Sequence, residues 1–179
     1  MTTGGRDPPA FRRHEFRHRR LTVQRHVLRG QSASVFEARR VLRHGGVLLF
    51  NVWDRIKENQ FADTVTTALA GLLPTDPPRF MARTPHGYVD RQVISCDPAE
   101  AGFGAAPRFE TIAARSRAAS AREPAVAYCQ GTPLRNEIEA RSGGAVKEAM
   151  SACATAIAER FGTGPVEGKI QAHAVVVAH

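Results

Sequence analysis

From Val35 onward, apolar residues recur at spacings that change from segment to segment, and each change marks a new element. Val35, Phe36, Val41 and Leu42 cluster toward one side, which predicts a helix over 35–43 with Ser32 or Ser34 as its cap. Gly45 is expected to stop it, because glycine accepts the left-handed backbone that closes a helix. Residues 47–53 are nearly continuously apolar, as in a strand buried on both faces. Phe61, Val65, Ala68, Leu69 and Leu72 share one face of a second helix over 59–73, ended by Pro74 and by Asp76-Pro77-Pro78.

Residues 79–107 carry no clear period. Asp90 can cap a short helix there, which Pro98 is expected to break before Gly102. Residues 109–114 alternate like a strand. Helical spacing returns at Glu123, is interrupted at Gly131-Thr132-Pro133 and resumes to Arg141. A further helix over 145–161 turns Val146, Ala149, Met150, Cys153, Ile157 and Phe161 inward and stops at Gly162, and 169–178 reads as a terminal strand. This order predicts a layered α/β sheet with flanking helices.

The first 31 residues follow none of these periods. They are rich in Gly, Pro, Arg and His, and they change the reading of the net charge of +8. Residues 1–43 hold eleven arginines against Asp7, Glu15 and Glu37, whereas 44–179 hold fourteen basic and fourteen acidic residues. Most of the imbalance belongs to the arm, which has only Phe11 and Phe16 as aromatics and no helical period, so nucleic acid is a poor candidate partner. At 42% hydrophobic, the chain can pack one core. The longest apolar runs are too short to cross a bilayer, and no apolar stretch typical of a secretory signal follows the N-terminal charges. Cys96, Cys129 and Cys153 form no C-x-x-C pair, which argues against a disulfide framework or a zinc site and for a cytoplasmic protein.

The stretch Glu37-Ala38-Arg39-Arg40-Val41-Leu42-Arg43-His44-Gly45-Gly46, running into Val47-Leu48-Leu49-Phe50, resembles the class I S-adenosylmethionine-dependent methyltransferases. There a helix ends in a "L-K/R-P-G-G" turn that feeds the fifth strand; here His44 stands in place of the usual proline. Asn51-Val52-Trp53-Asp54, the 58–63 segment, Thr84-Pro85-His86-Gly87-Tyr88, 127–135 and 168–173 look like a small-molecule methylase subgroup (type 11-like). The resemblance covers 35–179, the C-terminal half of such an enzyme. It implies a partial Rossmann-like sheet made of the later strands only, S-adenosylmethionine as cofactor and a small-molecule methyl acceptor as partner. The family's fifth, seventh and sixth strands lie together at one side of its sheet. The inner edge of the fifth, which the fourth strand normally pairs, is expected to lack a partner here.

Such enzymes cradle the cofactor in a D/E-x-G-x-G-x-G turn after the first strand, where the backbone can approach the ligand closely. No such string occurs: Gly4-Gly5 follows no predicted strand, and Gly143-Gly144 lies between helices. No cofactor-binding or metal-binding residue is assigned. Little or no methyl transfer is expected from the chain alone, and a complementing N-terminal half on another chain is a possible partner. Back-translated with permitted codons and read one base later, 10–31 can yield a string resembling the family's segment upstream of Glu37. The arm, 1–31, is therefore expected to be disordered or an out-of-frame product, with 32–179 as the methyltransferase-like part. The alternative is a non-enzymatic remnant or binding module that uses its open sheet edge, or its arm on nucleic acid.

Ligands of open α/β sheets collect at the carboxyl ends of strands, so Trp53 and Asp54 are candidate substrate-binding residues. His86 and Tyr88 lie in a plausible pocket-edge loop, and His86 suits proton transfer near neutrality. Tyr128, Gln130 and Arg135 flank the predicted helix break. No catalytic residue is assigned, because methyl transfer needs chiefly positioning and exclusion of water.

Overall fold

The computed structural model describes residues 20–24, 31–143 and 145–179. In chain order the elements are β1 (Arg20–Gln24), α1 (Gln31–Val41), β2 (Val47–Trp53), α2 (Gln60–Leu72), α3 (Phe80–Arg83) and α4 (Arg91–Glu100). They are followed by β3 (Arg108–Ala118), α5 (Arg122–Gly131), α6 (Leu134–Ser142), α7 (Val146–Phe161) and β4 (Val166–Ala178). A 3₁₀ turn, Ile56–Glu58, leads into α2. β2, β4 and β3 form an open antiparallel sheet, and β1 adds to the free side of β2 in parallel, giving the order β1-β2-β4-β3. The fold is mixed α/β.

The inner edge of β2 is thus paired, contrary to the sequence expectation. Thr22 and Val23 supply the β-branched residues of a short strand inside an arm dominated by arginine, and Leu21 stands opposite Leu48. The open edge moves outward to β1. The disorder expected of the arm falls on 1–19 and 25–30, outside the described residues.

Alternation along the strands sends neighbouring side chains to opposite faces, and the two faces are covered differently. On one, Leu48, Phe50 and Val52 of β2 and Val175 and Val177 of β4 pack beneath Val35 and Ala38 of α1 and Ile94 of α4. On the other, α2, α5, α6 and α7 enclose Phe61, Val65, Leu69, Cys129, Leu134, Ile138 and Ile157 over Val166. Phe61 lies so close to Gly168 that a β-carbon there would meet its ring at 3.1 Å. This second layer leaves β2 only half covered: Val47, Leu49 and Trp53 are half-buried and Asn51 is exposed. The near-continuous apolar run therefore does not have two equally buried faces.

Gly45 closes the turn after α1 at φ +74°, as its position predicts. Asp90 caps α4 by accepting from the Gln92 N–H. Pro98 does not break that helix. It sits in the last turn, where its missing N–H forfeits one hydrogen bond, and the Ala101 N–H still reaches the Asp97 carbonyl.

Candidate functional site

The chain leaves the carboxyl end of β2 at Trp53 and Asp54, and the next turn is pinned to β4 by one buried side chain. Asn59 Nδ2 donates to the carbonyls of Asp54 (3.3 Å), Arg55 (3.2 Å) and Gln171 (3.2 Å), while its Oδ1 accepts from the Gln171 N–H at 3.1 Å. The Asp54 N–H completes the clamp on the Gln171 carbonyl at 3.1 Å. Two cavities open around this clamp, reached from opposite faces of the sheet.

The first, of about 350 Å³, lies on the α2 side. Trp53 and Ile170 contribute from the sheet, Asn59 from the clamp, and Phe80, Met81, Pro85 and His86 from α3 and the loop after it. The break between α5 and α6 closes it with Tyr128, Gly131, Thr132 and Pro133. Thr132 Oγ1 donates to the Tyr128 carbonyl at 2.7 Å and accepts from the Leu134 N–H at 3.2 Å, stitching the break into a wall. Glu137 of α6 holds α3 in place by accepting from the N–H groups of Arg79 and Phe80 at 2.8 and 3.1 Å and from the Arg83 guanidinium at 2.5 Å. Burial pushes the Glu137 carboxyl up, but these donors outweigh it and hold the group below the usual carboxylate range.

His86 is buried, with Nδ1 2.8 Å from the Asp54 carbonyl oxygen. A carbonyl only accepts, so Nδ1 carries the hydrogen and the lone pair sits on Nε2. Burial drives the imidazole pKa below its ordinary value; the Asp54 carbonyl and carboxylate oppose this without overcoming it. At neutral pH the ring is therefore an uncharged base of fixed tautomer in the cavity wall. Gly87 makes this placement possible, because a β-carbon at that position would lie 2.1 Å from the Arg83 carbonyl oxygen. Tyr128, raised by burial, keeps its phenolic proton.

The second cavity, of about 720 Å³, is polar and lies on the α4 side. Asp54 turns its carboxylate into it, accepting from Gln171 Nε2 at 2.6 Å and from the Arg55 N–H at 2.6 Å, with His173 Nε2 at 3.3 Å. Burial alone would raise the Asp54 carboxyl; Gln171, the Arg55 N–H and His173 together bring it below its ordinary value. His173 Nδ1 is 3.0 Å from Thr111 Oγ1, which also accepts from Arg91 at 3.2 Å.

Of the seven candidates from sequence, Trp53, His86 and Tyr128 line the first cavity, and Asp54 joins the two through its carbonyl and carboxylate. The other three lie elsewhere. Tyr88 packs against the α1/α4 core and donates to Asp97 at 2.5 Å. Gln130 is exposed, and Arg135 is exposed in an ion pair with Glu139 at 2.8 Å. Asn59, Phe80, Met81, Thr111, Thr132 and Gln171 were not singled out by sequence as site residues. Among them Thr132 carried a signal beside the glycine and proline of the helix break, and Asn59 and Gln171 lie in segments that resemble the methylase subgroup, whereas Phe80, Met81 and Thr111 carried none.

Among the described residues no group of three or more His, Cys, Asp or Glu side chains could hold a metal ion, and no helix is long and apolar enough to cross a membrane. No model of a known protein family matches the chain, and no curated protein is significantly similar to it.

Proposed function

We propose that this chain is the acceptor-binding part of a class I S-adenosylmethionine-dependent methyltransferase for a small molecule, and that it transfers little or no methyl group by itself. One observation carries the reading. Trp53, His86 and Tyr128 come from three separate sequence segments that resemble the methylase subgroup, and all three line one uncharged cavity at the carboxyl end of β2. The sheet gives further support: β2, β4 and β3 lie in the order of the family's fifth, seventh and sixth strands, and β1 occupies the fourth strand's position.

In this reading Trp53, Phe80 and Tyr128 bind and orient the acceptor and exclude water, and His86 Nε2 takes up a proton that the acceptor must lose. The cofactor, where bound, supplies an already activated methyl group. The described residues do not fit it. Their glycines with positive φ (Gly45, Gly102, Gly143 and Gly162) follow helices or lie between them; none sits at the carboxyl end of a parallel strand, where the family's cradle forms. Isothermal titration of the purified chain with S-adenosylmethionine tests this. No binding in the micromolar range is expected, and a micromolar dissociation constant would overturn the inactivity claim. The nucleotide sequence upstream tests the family reading itself, which predicts a D/E-x-G-x-G-x-G turn in another frame or on a neighbouring gene.

A second reading, a non-enzymatic binding module, draws on the outer edge of β1, which pairs with no strand among the described residues. A sheet-edge partner that binds the chain, together with intact methyl transfer by a neighbouring gene product alone, would favour it.

A further inference from the structure

We infer that the uncharged cavity takes a neutral phenol of one or two rings, with the phenolic hydroxyl donating to His86 Nε2. Three features of the site select this class. At about 350 Å³ the cavity lies near the lower end of the range for small-molecule sites, roughly 300–1,000 Å³, which suits a compact ligand. Its walls are Trp53, Phe80, Met81 and Tyr128, surfaces that favour the face or edge of an aromatic ring over a polar chain. Among the described residues no Asp, Glu, Lys or Arg lines it, so a carboxylate or an ammonium group would be desolvated there without a counter-ion.

The hydroxyl follows from the base. His86 spends its only N–H on the Asp54 carbonyl and offers an acceptor at Nε2. Burial makes it a weaker base than free imidazole, so it matches an acidic hydroxyl. A phenol, with a pKa of about 10 by analogy with tyrosine, is far closer to that requirement than an aliphatic alcohol.

The inference rests on the reading of this cavity as an acceptor site but is tested without any methyl donor. Trp53 is the chain's single tryptophan and lines the cavity, so its fluorescence, excited at long wavelength, reports on this site. The full chain is titrated with p-cresol, 4-hydroxybenzoate, tyramine and 4-methylanisole. The expected result is saturable quenching by p-cresol, with the anionic and cationic phenols and the hydroxyl-free ether each at least tenfold weaker. His86→Gln, which keeps an acceptor oxygen, should retain p-cresol binding, and His86→Leu should reduce it to the level of the ether. Should the leucine variant fail to fold, the glutamine variant and the ligand series still decide. Absence of saturable quenching by p-cresol, or equal affinity for any of the other three ligands, would overturn the inference. Micromolar cofactor binding would overturn only the inactivity claim, and an unrelated upstream sequence only the family reading.

Discussion

Asn59→Asp isolates what the clamp beneath β2 contributes. The change keeps the shape and preserves the Oδ1 that accepts from the Gln171 N–H, but it sets an oxygen where Nδ2 now donates to three carbonyls 3.2–3.3 Å away. Asn59 is 2% exposed, so a carboxylate there is neither hydrated nor paired. Lost donation and an unpaired buried charge together should cost about 4 kcal/mol at pH 7.5, a large share of the roughly 5–15 kcal/mol typical of a domain. The buried carboxyl escapes part of this cost by binding a proton, so its folded-state pKa rises above the unfolded value and the deficit shrinks as pH falls. Asn59→Ala removes the same hydrogen bonds without adding a charge and should lose about 2 kcal/mol. Urea unfolding followed by far-ultraviolet circular dichroism, at pH 7.5 and pH 5, measures both variants. The reasoning fails if Asn59→Asp lies within about 1 kcal/mol of wild type at pH 7.5, or if its deficit relative to Asn59→Ala does not shrink at pH 5.

Two further outcomes follow from the site. The folded pKa of His86 lies below its ordinary value of 6.5, so as pH falls through 6.5 the unfolded chain takes up a proton before the folded one does, and stability drops. Asp54 and Glu137, also depressed, extend the loss toward lower pH, where the unfolded carboxylates protonate first. Urea midpoints should therefore decline from pH 7.5 to 5.5 in wild type and less steeply in His86→Gln; a flat wild-type profile over that window would contradict the assignment. Gly87→Ala should destabilise the chain by about 2 kcal/mol or more and alter Trp53 emission, because its β-carbon would collide with the Arg83 carbonyl, which is rigid backbone. A variant that unfolds at the wild-type midpoint would refute that close approach.

The apolar periods made most elements legible, because the longer helices bury one stripe and parts of the strands are apolar or alternate. Legibility fell where a segment takes its order from its neighbours. β1 exists by pairing with β2 and lies in a stretch whose composition hides it. Phe80 and Met81 reach the cavity because Glu137, more than fifty residues away, caps their short helix. Asn59 resembles an ordinary residue at a helix start; its role appears only when β4 arrives beside it. The candidates that lie outside the first cavity are kept from it by local geometry. His86 and Tyr88 are two residues apart in a loop that turns around Gly87, and they end on opposite sides of the sheet. Tyr128 and Gln130 lie on a helix, where two steps rotate a side chain by roughly 200°, so one faces inward and the other faces water.

His86 is anchored by main chain rather than by a side chain. Every amino acid offers a carbonyl, so position 54 can drift through evolution without releasing the imidazole or switching its tautomer. Replacing the aspartate would retune the polar chamber on the far side of the sheet and leave the ring's attachment point in place. The two chambers can thus diverge at separate rates, although one residue separates them.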